Sequence, residues 1–218
     1  GRLMAGDVMC EDRDGSGSIG SGAGTGDDPG DMMIIGNTTP RYSYSFRIEA
    51  SWNGFDISAF FQGVGKRDWY PTANKDDIYG ANQFWQLYGY TIPSFITYDF
   101  MDDVWSEQNP GGYFPRLRPI QSYNGGPLGQ NNDRYLQSVA YLRFKNLTIG
   151  YTLPVLKKYL SKLRIYVSGE NLCYWSPLKK HCKLIDPELA ISSGTYKGGT
   201  GTGYTMPRTF SFGVDITF

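Results

Sequence analysis

Positions 42 to 52 alternate without a break: Tyr42, Tyr44, Phe46, Ile48, Ala50 and Trp52 are aromatic or aliphatic, and Ser43, Ser45, Arg47, Glu49 and Ser51 between them are polar. A period of two places each set on one face of a β-strand. Asn53 and Gly54 follow, the pair best suited to the positive φ values of a two-residue hairpin turn. Alternation then resumes, with Phe55, Ile57, Ala59 and Phe61 against Asp56, Ser58, Phe60 and Gln62. Such a turn sets Trp52 opposite Phe55, so the apolar faces of the two strands agree in register.

The pattern is lost from 65 to 140, which reads as a very long loop or set of loops carrying Trp69, Trp85, Trp105 and many tyrosines. A third strand is expected over 141 to 153, with Leu147, Ile149, Tyr151 and Leu153 on one face and Thr148, Gly150 and Thr152 on the other. Leu142 and Phe144 are out of phase with that face, which predicts a bulge near Asn146. After Pro154 and a basic turn, Leu163, Ile165 and Val167 alternate with Arg164, Tyr166 and Ser168 as a fourth strand. A fifth strand carries Phe210, Phe212, Val214, Ile216 and Phe218 against Thr209, Ser211, Gly213, Asp215 and Thr217, regular to the last residue. The expected organisation is a Gly/Asp-rich loop at 1–40, a hairpin at 41–64, the long loop region at 65–140, two strands and their turn at 141–173, a loop at 174–203 and a terminal strand at 204–218.

The fold class is therefore all-β, and two architectures compete. A secreted carbohydrate-binding β-sandwich, containing calcium, would bury one alternating face on a second sheet. A membrane β-barrel would turn that face to lipid. The connections favour the barrel, because short turns alternate with loops of roughly 75 and 30 residues, as periplasmic and extracellular ends do. The residues expected to face lipid are Tyr44, Phe46, Ile48, Trp52, Phe55, Ile57, Phe61, Phe210, Phe212, Val214, Ile216 and Phe218. Aromatics at strand ends suit interfacial girdles: Trp52, Phe55, Tyr151 and Phe218 at the short-turn end, and Tyr42, Tyr44 and Phe61 at the other. Five strands cannot close a transmembrane barrel, so the chain is expected to be the end of a larger one whose earlier part precedes residue 1.

Composition narrows the chemistry. Lys+Arg and Asp+Glu both total 21, so nothing in net charge calls for a nucleic-acid partner. No apolar run approaches the roughly 18 residues of a membrane helix. The mean hydropathy of -0.41 does not argue against a barrel, whose strands average apolar with polar positions. The chain opens without an initiator Met or leader, so any targeting signal is expected to have been removed or to lie outside this piece. Cys10, Cys173, Cys182 and the single His181 show no zinc spacing, and His181 and Cys182 are sequence neighbours that seldom face each other productively. No acid pair has a spacing that marks a hydrolase, and no enzyme is expected. Spacing leaves a Cys173–Cys182 disulfide open.

One candidate metal site stands out. Asp12, Asp14, Ser16 and Ser18 fall at the alternating oxygen positions of a calcium loop, with Gly17 at its turn. The twelfth position is Ala23 rather than Glu, so Asp27, Asp28 or Asp31 would have to close the shell; a plain Asx-turn loop is the other reading.

Longer motifs then carry a resemblance. The run AFFQGVGKRDWY at 59–70, YLRFKNLTIGY at 141–151 and GENL at 169–172 resemble the carboxy-terminal barrel of the SusC/RagA family of TonB-linked outer-membrane transporters. So do WSEQNP at 105–110, DPE at 186–188, PRTF at 207–210 and GDV at 6–8 ahead of the Asp12 loop. The resemblance implies a barrel of about 22 strands, of which this chain supplies the last five, antiparallel and with long extracellular loops. It also implies the cell outer membrane of Bacteroidota, an amino-terminal plug and a TonB-contacting segment outside this chain, and a SusD-like lipoprotein partner. The activity it implies is uptake of oligosaccharides or peptides. Aromatic faces stack on the apolar faces of sugars, so Trp69, Trp85, Tyr88, Tyr90 and Trp105 are the expected ligand contacts, with loop packing as the competing role. Arg47, Glu49, Asp56 and Arg164 are expected on the lumen side, lining the pathway or pairing with one another.

Overall fold

The computed structural model describes residues 3–70, 100–116, 132–154, 160–183, 185–190 and 206–218. Its elements in chain order are β1 (Ser43–Trp52), β2 (Phe55–Val64), β3 (Asp68–Trp69), α1 (Phe100–Asp103), β4 (Gln137–Ser138), β5 (Tyr141–Leu153), β6 (Lys162–Trp175) and β7 (Thr209–Thr217). A 3-10 turn, Pro177–Lys180, follows β6. No described helix is long and apolar enough to cross a membrane. The one-turn α1 and the short β3 and β4 fall within 65–140, where sequence periodicity indicated only loop.

The chain divides into two units. The first comprises Gly1–Thr38, Asp68–Gln137 and Lys180–Gly203; the second holds Thr39–Arg67, Ser138–Lys179 and Tyr204–Phe218. The second unit is an antiparallel sheet in the order β1-β2-β5-β6-β7, so strands adjacent in the sheet follow one another along the chain. Asn53 and Gly54 take φ values of 47° and 85°, the paired left-handed conformations of a type I′ turn, and Trp52 lies opposite Phe55 as expected.

The out-of-phase residues are reconciled where the pattern indicated. Phe60 lies opposite Asn146 but Phe61 lies opposite Phe144, leaving Lys145 as the extra residue of a bulge. Leu142 and Phe144 thereby return to the face of Leu147. The partner strand is irregular at the same level: Asn146 pairs with Glu170 and Phe144 with Cys173, and Asn171 takes a positive φ of 52°. Asn tolerates that conformation better than most residues. This irregularity explains why β6 runs to Trp175, beyond the alternation visible near 163–168. The last strand is shorter than expected: it starts at Thr209, and Thr217 opposite Lys162 is the last paired position, so Phe218 lies outside the ladder.

The first unit has its own small core, with Trp69, Val104, Phe114, Tyr135, Cys182, Ile185 and Ala190 buried. Phe114 packs edge-on to Tyr113, and Val104 and Phe114 form an isolated parallel bridge.

Candidate functional site

The register assigns every side chain of the sheet to a face. Ile48, Ala59 and Leu147 lie side by side, as do Trp52, Phe55, Tyr151 and Ile165, and Ile149, Val167 and Phe212. All twelve residues expected to meet lipid stand on this one face or, for Phe218, continue its parity. Phe46, Phe61 and Phe144 stack in a row across three strands, with centroids 4.8 and 4.5 Å apart and planes within 13°. Such stacking adds to simple burial. Yet the face is uncovered: Phe210 is 73% exposed and Phe212 70%. A sandwich would bury these residues in its core.

The opposite face is polar and its charges pair. Arg164 donates to Asp56 from Nε at 2.9 Å and from Nη2 at 2.6 Å, and from Nη1 to Asp215 at 3.0 Å. One guanidinium thus ties β2, β6 and β7 across β5, using the planar fork that suits Arg rather than Lys. It passes over Gly150, where a Cβ would come within 2.5 Å of the guanidinium and 2.6 Å of the Asp56 carboxylate. Arg47 and Glu49 pair at 3.5 Å, and the Ser58 hydroxyl donates to Glu49. Sequence reasoning anticipated pairing among Arg47, Glu49, Asp56 and Arg164. It missed Asp215 and Gly150, whose signal was available: a glycine inside a strand marks a close approach.

In the first unit, Asp12, Asp14 and Asp31 bring carboxylate oxygens within 4.8 Å of one another. Asp31 is the one of the three candidates that closes the loop; Asp28 instead accepts from the Ala23 N–H at 2.9 Å. Asp12 accepts from the N–H groups of Gly15, Ser16 and Gly17, and the Ser16 hydroxyl donates to the Ser18 carbonyl. Hydrogen bonds from Ser16 hold Asp14 below the usual carboxylate range, and the Gly20 and Arg13 N–H groups do the same for Asp31. The donor set is all hard oxygen and suits calcium chemistry. An ion there would compete with the N–H groups that these carboxylates already accept.

His181 stacks on Tyr113 at 3.5 Å between centroids, and its Nδ1 lies 3.1 Å from Asp103. This contact joins residues 78 apart and left no trace in the sequence. Cys182 is buried, and desolvation pushes its thiol up to about 12, which removes the thiolate a nucleophile needs. Cys10, Cys173 and Cys182 are all free thiols, so the disulfide left open by spacing is not formed.

The aromatic ligand contacts need a correction. Trp69 is 2% exposed and presents no ring face to a ligand, so it takes the packing role. Trp105 is part-buried: the Arg116 guanidinium lies 5.5 Å from its ring centroid, and Gly6 sits so close that a Cβ would overlap the indole. Trp85, Tyr88 and Tyr90 lie outside the described residues.

No family model matches the chain. It is 28% identical over 223 aligned positions to TonB-dependent receptor P3 of Formosa agariphila, an alignment covering 98% of this chain and 19% of that protein. The chain thus spans about a fifth of the curated relative's length. Among solved structures, the RagAB peptide transporter matches with a TM-score of 0.54 and 22% identity over 83% of this chain and 17% of its own. The RagAB peptide importer in its closed-closed state matches at 0.51 and 20%, over 85% and 18%. These comparisons agree with the motifs: the chain is similar to a stretch of SusC/RagA-like TonB-dependent transporters and shares their sheet. Such relatives are outer-membrane proteins, a TonB-dependent receptor and a peptide transporter.

Proposed function

We propose, from this likeness in sequence and sheet to a TonB-dependent transporter, that the chain forms the carboxy-terminal wall of an outer-membrane barrel of about 22 strands. The barrel takes up oligosaccharides or peptides together with a SusD-like lipoprotein, and couples to TonB through a part of the protein outside this chain. The apolar face meets lipid and the polar face lines the lumen. Trp85, Tyr88, Tyr90 and Trp105 contact cargo or the lipoprotein from the loops.

The observation that carries this reading is one uninterrupted apolar face across five antiparallel strands, still exposed. Water-exposed apolar area on this scale marks an interaction surface or a membrane. β1 and β2 each have 10 residues, the length of a tilted transmembrane strand. The test is an uptake assay in cells lacking the full-length protein, complemented with wild type or with the Phe212→Arg variant. Wild type restores accumulation of one labelled oligosaccharide or peptide class, and the variant is absent from the outer membrane. Soluble, correctly folded Phe212→Arg protein would overturn the reading.

A further inference from the structure

Four of the six methionines in the chain, Met4, Met9, Met32 and Met33, fall within its first 33 residues, and all four are exposed, from 50% at Met32 to 82% at Met9. Methionine is ordinarily among the more often buried side chains, so an exposed group of this kind calls for a role other than packing. A thioether in contact with water is open to oxidation.

Met33 differs from its neighbours in what its sulfur touches. Arg13 Nη1 donates to Met33 Sδ at 3.5 Å across 20 positions, whereas the sulfurs of Met9 and Met32 have no such donor among the described residues. The contact lies beside the tie that closes the 12–31 loop: the Arg13 N–H donates to Asp31 Oδ1 at 2.6 Å, and the Gly20 N–H to Asp31 Oδ2 at 2.7 Å. Thioether sulfur is a weak acceptor, and the Glu11 carboxylate stands 3.8 Å from Arg13 Nη1, too far for a strong hydrogen bond. The guanidinium therefore keeps donors for a better acceptor at the same spot.

We propose that Met33 is a reversible oxidation site and that its sulfoxide latches the 12–31 loop through Arg13. A hydroperoxide supplies the oxygen. A lone pair of Met33 Sδ attacks the peroxide's hydroxyl oxygen, the O–O bond breaks and an S–O bond forms; the leaving oxygen takes the proton of the transferred hydroxyl and departs as water or an alcohol. Sulfur is oxidised as the peroxide is reduced, so the electrons balance. The new oxygen is a far better acceptor than the thioether it replaces, and with the guanidinium beside it makes the stronger, charge-assisted kind of hydrogen bond. This site goes beyond the transport reading and does not depend on it.

The test treats the full-length protein in detergent with limiting hydrogen peroxide, locates the added oxygen by peptide mass spectrometry, and follows amide hydrogen exchange before and after. Met9, Met32 and Met33 should all gain oxygen, and exchange at the Arg13 and Gly20 amides should slow about tenfold, the effect of one charge-assisted hydrogen bond. Methionine sulfoxide reductase should restore the original rate. Met33→Leu should abolish the slowing while Met9 and Met32 still oxidise, and Arg13→Leu should abolish it with the Met33 sulfoxide formed. Unreacted Met33 beside oxidised Met32 overturns the inference, as does unchanged or faster exchange in the oxidised wild type. Slowing that persists in either variant assigns the effect to another methionine and overturns it equally. Both substitutions lie outside the five-stranded sheet, so membrane assembly stands or falls separately.

Discussion

At the scale of single residues, Gly150 and Arg164 show how one small side chain licenses one large one. Gly150→Ala should displace the guanidinium from Asp56 and cost about 1 to 2 kcal/mol, reduced from the value of a fully buried charged hydrogen bond because the Asp56 side chain is 34% exposed. Arg164→Met should cost at least as much, since two carboxylates then lose their common partner. Denaturant unfolding of the assembled protein, with Gly150→Ala and Arg164→Met singly and together, checks this; fully additive effects would mean that the two residues do not share the tie. Cys182 gives a prediction in pH. Its thiol stays protonated in the fold up to about 12, against an ordinary value of 9.0, so the unfolded chain ionises first. Stability from this group is complete below about pH 9 and is lost as pH rises towards 12. Thermal midpoints of wild type and Cys182→Ala above pH 9 should therefore converge.

At the scale of elements, the hairpin and the terminal strand carry the strongest expectations. Gly54 holds a φ of 85°, with the Thr152 carbonyl 2.9 Å from where a Cβ would stand. Gly54→Val should destabilise the β1-β2 hairpin by about 1 to 3 kcal/mol through backbone strain, visible as a lower denaturant midpoint at unchanged slope. On β7, Phe212→Arg should cost about 2 to 4 kcal/mol if the residue sits near the bilayer middle, whereas Asp215→Asn on the opposite face should be mild. Folding yields in lipid vesicles measure both; equal losses would remove the distinction between the faces. Strand identity, the turn and the bulge near Asn146 were legible because each follows from parity. The extension of β6 to Trp175 was not, because the irregularity at Asn171 breaks the period that sequence reading depends on.

At the scale of the whole molecule, the sequence alone determined the strand sequence, the two faces and the likeness to SusC/RagA transporters. Alternation is local, and motif order survives without knowledge of the fold. The tertiary structure decided what depends on approach between distant residues. It selected Asp31 over Asp27 and Asp28 to join Asp12 and Asp14, because only folding of the 12–31 loop sets their separation. It buried Trp69 and so removed a ring that composition alone offered to a ligand. It joined Asp103 to His181 across 78 positions, and it brought Asp215 into the Arg164 tie by pairing β7 with β6. Periodicity reports which way a side chain points; only the folded chain fixes which partner stands opposite it, since that partner's place is set by register, bulges and turns summed along the whole path.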